Sequence, residues 1–243
     1  MQKHEITRIR KDVVRRTLRV TAKEYLTPRM LRIVFQSDEL QGFDSPSPDD
    51  HIKIFLSSPG DEKPISRDFT PRAWDLEAGT FTIDFALHEV GRATEWAHAA
   101  KPGDRLEIGG PRGSAVVPDD FDWYLLIGDA TALPSIGRRL ERMRPGVPVD
   151  VFALIPDSEE RQEFVTTAKC NVHWLLCSES SRDNAATLRS ALETCRLRAG
   201  DGFIWIAAEA SVSRDLYSYF VEMRGYPTQW VKATAYWTDP RIE

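Results

Sequence analysis

The sequence predicts two domains in tandem, a small antiparallel β-barrel followed by a doubly wound parallel α/β sheet. Short strands of alternating apolar and polar residues, broken by Gly/Pro turns, fill the first half. From about Phe121 the strands become continuous apolar runs alternating with helical stretches. The length, 243 residues, exceeds the roughly 100–200 of an ordinary single domain.

In the first half, Thr17–Thr21 and Met30–Phe35 alternate, with a turn predicted over Tyr25-Leu-Thr-Pro28. His51–Leu56 alternates and runs into Ser57-Ser-Pro-Gly60; Phe81–His88 alternates, and Arg105–Ile108 stops at Gly109-Gly-Pro111. One helical stretch, Ala93–Ala100, interrupts them. In the second half, Trp123–Ile127, Val149–Ile155, Asn171–Leu176 and Gly202–Ala207 read as strands buried on both faces. Helices are predicted at Pro134–Met143, Ala185–Leu192 and Val212–Met223, and Trp230–Trp237 reads as a last strand. A strand this apolar needs a docking place, and a cleft between domains and plain core packing are both open to it. The boundary falls in Ser114–Asp120, giving domains 1–116 and 117–243.

The composition is that of a globular chain, 42% hydrophobic and 28% charged. No apolar run approaches the ~18 residues of a membrane span, and the start, MQKHEITRIRKDVVRR, lacks the apolar core of a signal peptide. A cytoplasmic location with no membrane partner is expected. The net charge of −5 argues against nucleic acid. Residues 1–35 nevertheless hold ten Lys/Arg against three acids, which reads as a solvated barrel face. Cys170, Cys177 and Cys195 match no zinc, iron–sulfur or C-x-x-C spacing.

Parallel strand ends at a topological switch bind nucleotides, and a barrel beside them offers a second planar site, so flavin next to nicotinamide is the expected chemistry. Four motifs bear on it. Ser66–Arg72 sets Arg67 and Arg72 around Phe69 and Thr70, residues suited to stack a ring, bond a heteroatom and neutralise phosphate; a surface loop with one buried Phe accounts for the same residues. Asp84–Ala97 runs from a strand through His88 and Gly91 to Thr94, read as a helix N-cap, an arrangement that offers free N–H groups to an anion. Gly128-Asp-Ala-Thr-Ala-Leu-Pro134 has the Gly and Pro of a nucleotide-binding βα turn without G-x-G-x-x-G, and Asp129 repels a pyrophosphate pressed against it. Glu209 closes a buried strand where a loop facing nicotinamide belongs. Hydrolase elbows, Walker loops and H-E-x-x-H do not occur.

Taken in order, Arg67–Pro71, Asp84–His88, Gly91–Ala97, Pro102-Gly-Asp104, Gly110–Ser114, Gly128–Pro134 and Ala235–Trp237 resemble the siderophore-interacting protein family of flavin-dependent ferric-siderophore reductases, over nearly the whole chain. The resemblance implies a ferredoxin-reductase-like fold. A Greek-key FAD-binding barrel is followed by an NAD(P)H-binding domain, NADPH favoured, whose C-terminal tail returns to the flavin cleft. It assigns Arg67, Asp68, Phe69 and Thr70 to the flavin ring and phosphates, and adds Asp84, Phe85 and His88. Gly91, Arg92, Ala93, Thr94 and Trp96 form its phosphate turn, with Asp129, Ala130, Thr131 and Trp237 near the flavin and Glu209 toward NAD(P)H. Lys53, Arg112 and Lys232 match a basic triad for an anionic, catecholate-type ferric siderophore. A monomeric reductase is expected; a reductase with a protein acceptor and a non-catalytic ferric-chelate carrier are the alternatives. Phe69 stands where the family usually has Tyr.

Overall fold

A computed structural model of the chain describes residues 4–57, 60, 62–88, 91–178 and 180–239. Lys3 of the basic segment, Ser58 and Pro59 of a predicted turn, Glu89 and Val90 of the second motif, and Pro240 lie outside the described residues. The chain divides into two compact units, Met1–Pro118 and Asp119–Glu243.

The first unit contains β1 (Thr7–Arg10), β2 (Arg15–Thr27), β3 (Met30–Gln36), β4 (Ile52–Leu56), β5 (Ile65–Phe69), β6 (Ala73–Asp75), β7 (Thr80–Ala86), α1 (Arg92–Ala99), β8 (Arg105–Gly109) and β9 (Gly113–Val116). Seven strands form one antiparallel sheet in the order β5-β4-β8-β2-β3-β7-β6, and β1 pairs with β9 separately. The sheet's two end strands, β5 and β6, are joined by only Thr70–Arg72 and the Arg72 N–H donates to Thr82 O at 2.9 Å, which makes the sheet a half-barrel. Alternate positions point inward because side chains alternate along a strand. Leu18, Val20, Leu31, Ile33, Phe35, Ile52, Ile54, Phe81, Ile83 and Ile108 are fully buried there, each contributing about 1.5–3 kcal/mol.

Three expectations need correction here. Tyr25–Thr27 belongs to β2, which bulges between Tyr25 and Thr27, so the chain turns later, at Pro28 and Arg29. The bulge takes up a residue that alternation assigns to the turn. Thr94 does not cap α1. The helix begins at Arg92 with Gly91 as its N-cap, at φ 152°, a conformation that glycine reaches at little cost. The basic N-terminal segment is not merely solvated: Arg16, 5% exposed, donates to Glu39 O at 2.9 Å and lies over Phe43, Lys11 binds Asp44 at 2.6 Å, and Arg15 binds Glu107.

The second unit contains β10 (Trp123–Asp129), α2 (Leu133–Arg142), β11 (Pro148–Ile155), β12 (Lys169–Leu176), α3 (Ser181–Thr194), β13 (Gly202–Glu209), α4 (Ala210–Ser218) and β14 (Val231–Trp237). They form a five-stranded sheet in the order β12-β11-β10-β13-β14, parallel throughout. All eight residues of β13 are buried, as expected of a central strand covered on both faces. The order reverses between β10 and β13, so the switch point lies at the carboxyl ends of these strands. The last strand, β14, extends this sheet along β13. Among the described residues, no helix is long and apolar enough to cross a membrane.

Candidate cofactor and substrate sites

In the first unit the candidate residues gather along β4, β5, β7 and the start of α1. As an end strand of the sheet, β5 pairs with β4 on one side only. Backbone N–H and C=O groups of an edge strand are open to a ligand. Arg67 and Asp68 are exposed, Phe69 is half-buried and Thr70 is buried. The Phe69 ring lies 4.7 Å from that of Phe85, which in turn lies 5.9 Å from Trp96, and Trp96 stacks on Phe35 at 6.3 Å. The aromatic residues of two motifs thus form one continuous wall against the barrel core. Asp68 turns its carboxylate to Lys53, at 2.8 Å.

Asp84 is 5% exposed and held by two cations. Arg32 grips it with two bonds, 2.7 and 2.8 Å, and Arg72 approaches to 3.5 Å. Arg72, read from sequence beside Arg67, thus lies against Asp84. Arg32 was not legible as a site residue. Its signal is register, because Arg32 lies directly opposite Asp84 in the β3–β7 ladder. Past β7, exposed His88 donates its N–H to the Thr94 hydroxyl at 3.2 Å, tying the strand end to α1. Among the described residues no side chain caps α1, and a Cβ at Gly91 would meet nothing within 4 Å. Arg92 and Ala93 follow half-buried in the first turn. An edge strand, an aromatic wall, Arg67 and a helix start with open N–H groups form a donor set that fits a flavin dinucleotide. Exposed Arg112 follows Gly109, the β8 residue that pairs with Lys53, by three positions.

In the second unit, carboxylates occupy the switch point. Gly128 is required there, since a Cβ would sit 2.5 Å from Ala132 Cβ and 2.8 Å from Ala207 O. Asp129 then accepts bonds from the Thr131 N–H at 2.9 Å and the Thr131 hydroxyl, from the Glu209 N–H at 3.1 Å, and from Trp237 Nε1 at 2.8 Å. Burial raises its pKa despite these bonds. Glu209 caps α4 by accepting from the N–H groups of Ser211, at 2.6 Å, and Val212, at 3.2 Å. Burial pushes the Glu209 carboxyl up, but its hydrogen bonds prevail and hold it below the ordinary value. The first N–H groups of the β10 turn and of α4 are thus already engaged by side chains of this chain. A pyrophosphate cannot use them as in an ordinary Rossmann turn. Ala130 and Thr131 are half-buried, and Lys232 on β14 pairs in register with Trp205 on β13.

An antiparallel half-barrel followed by a five-stranded parallel sheet of this order defines the ferredoxin-reductase-like fold. Within that class, the chain belongs to the siderophore-interacting protein family. It matches Siderophore-interacting protein over residues 121–240 and Siderophore-interacting FAD-binding domain over residues 19–63 and 57–115. It is 34% identical to the NADPH-dependent ferric-chelate reductase of Escherichia coli (strain K12), over 95% of each chain. It is 29% identical, over 91% of its length, to the Mycobactin import ATP-binding/permease protein IrtA of Mycolicibacterium smegmatis, of which it spans 26%. The crystal structure of a siderophore utilization protein from T. fusca superposes with a TM-score of 0.88 at 30% identity, covering 97% of both chains.

Proposed function

We propose that this protein is a cytoplasmic FAD-dependent ferric-siderophore reductase that uses NADPH. The observation that carries the reading is the occurrence, in a chain of this family, of an open β5 edge with its aromatic wall and a parallel-sheet switch point between β10 and β13. FAD, when bound, supplies the change from hydride transfer to single electrons. Arg67, Phe69, Thr70, His88 and the Gly91–Trp96 turn hold it, and Asp84, gripped by Arg32 and Arg72, keeps β7 and its Phe85 in place within that wall. Asp129, Ala130, Thr131, Glu209 and Trp237 shape the place for nicotinamide. Lys53, Arg112 and Lys232 attract the anionic ferric chelate, a catecholate type, by an attraction that weakens as salt rises. No acid or base is needed, because iron(II) binds such chelators less well and leaves. The reductase acts as a monomer.

The test begins with colour. The purified protein is expected to be yellow or to bind added FAD, to lose that colour with NADPH under anaerobic conditions, and to regain it on addition of a ferric chelate. Failure to bind FAD overturns the reading. Reduction of dyes with no reduction of any ferric chelate points to a protein acceptor instead, and chelate binding without flavin turnover points to a carrier.

A further inference from the structure

Lys53, a cation of the proposed substrate site, already has an anion. Lys53 and Asp68 stand directly opposite each other in the β4–β5 ladder, and the Lys53 ammonium lies 2.8 Å from the Asp68 carboxylate. The pairing is set by backbone register, so it does not depend on two long side chains meeting by chance. Both side chains remain open to solvent, at 43% and 48% exposure. An incoming anion therefore meets the pair and not a lone ammonium. On its other flank Lys53 pairs with Gly109, which has no side chain, so β8 adds no second charge at that register position, and the chain runs on to exposed Arg112.

We infer that Asp68 is a specificity-determining residue. It acts as a built-in counter-ion that reduces the pull of Lys53 on highly charged chelates and so narrows their advantage over ferric complexes of low or zero net charge. The inference rests on the proposed reductase function. Electrostatic attraction scales with the product of charges, so a trianionic complex loses more from the nearby carboxylate than a neutral one. Asp68 also donates nothing as a carboxylate, so an anionic flavin phosphate gains nothing from it; it serves the substrate side of β5 and Arg67 the cofactor side.

The test compares wild type, Asp68→Asn, Lys53→Ala and the double variant with two probes, a trianionic iron(III) tris-catecholate and a neutral iron(III) tris-hydroxamate, at low and high salt. Asp68→Asn is expected to lower KM for the trianionic probe on the order of tenfold at low salt. The effect shrinks at high salt and is absent for the neutral probe; it persists in the Lys53→Ala background, where the uncompensated carboxylate still repels the trianion. An equal KM shift for both probes, or an unchanged KM for the trianion at low salt, overturns the inference. The parent reading fails differently, with wild type reducing neither probe while its flavin is still reduced by NADPH. FAD content, measured by absorbance on each variant, separates lost cofactor from altered substrate preference.

Discussion

The indole N–H of Trp237, at the end of the last strand, donates to the carboxylate of Asp129, at the end of the first strand of the parallel sheet, across 2.8 Å. With the Thr131 and Glu209 donors, both oxygens of Asp129 face only N–H and O–H groups. Asp129→Asn must aim its amide at one of these donors. It is expected to destabilise the second unit by about 1–3 kcal/mol, and Trp237→Phe by about 1 kcal/mol. Urea unfolding followed by tryptophan emission measures both; an Asn variant as stable as wild type contradicts this account of the switch point.

Asp129 also predicts a pH dependence. Its folded pKa is raised by burial, so the native state binds the proton more tightly than the unfolded chain does. The stability owed to this group is full below the unfolded pKa and declines as pH rises through the folded pKa. The unfolding free energy of wild type minus that of Asp129→Ala should accordingly fall with rising pH in the acid range. A flat or rising difference is the contrary result.

Asp84 anchors the first unit through two guanidinium groups. Its removal leaves Arg32 and Arg72 facing a vacated, mostly buried position. Because Arg32 is 26% exposed, the cost of Asp84→Ala is set at about 2–4 kcal/mol, below that of a fully buried pair. Weakened FAD retention should accompany it, checked by absorbance after gel filtration. An Ala variant with wild-type stability and full flavin refutes the anchoring role.

Gly128→Ala tests the close approach of β10 to its neighbours. The added methyl meets Ala132 Cβ and the backbone oxygen of Ala207, and overpacking against backbone costs about 1–3 kcal/mol. A lowered midpoint in urea is expected; an unchanged one shows that the turn yields freely.

Burial, with Asp150 adding to it, pushes the Cys170 thiol up to about 11. Thiolate is the reactive form. Alkylation of Cys170 by iodoacetamide at neutral pH, followed by mass spectrometry, should therefore be much slower than that of free glutathione. A rate equal to glutathione's excludes this environment.

The parallel half of the fold is legible because a strand buried on both faces is apolar at every position, as in β13. Much of the half-barrel is legible too, since one-sided burial writes alternation into β3 and β7. The strand β1 is exposed at all four residues and carries no such signal, and β6 is only three residues long. Thr94 has the chemistry of a cap, but Gly91 starts the helix earlier because its φ is costly for other residues. The site residues were legible as types and in order. Their partners were not. Arg32 with Asp84, Lys53 with Asp68 and Trp237 with Asp129 depend on register or strand order, which spacing along the chain does not encode.

The irregular pairing at the end of β14 gives the tail a reading frame. Register runs from Ala208 with Ala235 to Glu209 with Trp237, passing over Tyr236. Tyr236 meets Ser135 and Trp205, while Trp237 reaches Asp129. The single extra residue brings Trp237, and not Tyr236, opposite Glu209. A tail transplanted from a relative must preserve the residue count between Lys232 and Trp237 as well as the residue types. One deletion there would put the Trp ring in the place of Tyr236 and the Tyr ring in that of Ala235 while leaving every amino acid in the segment chemically suitable.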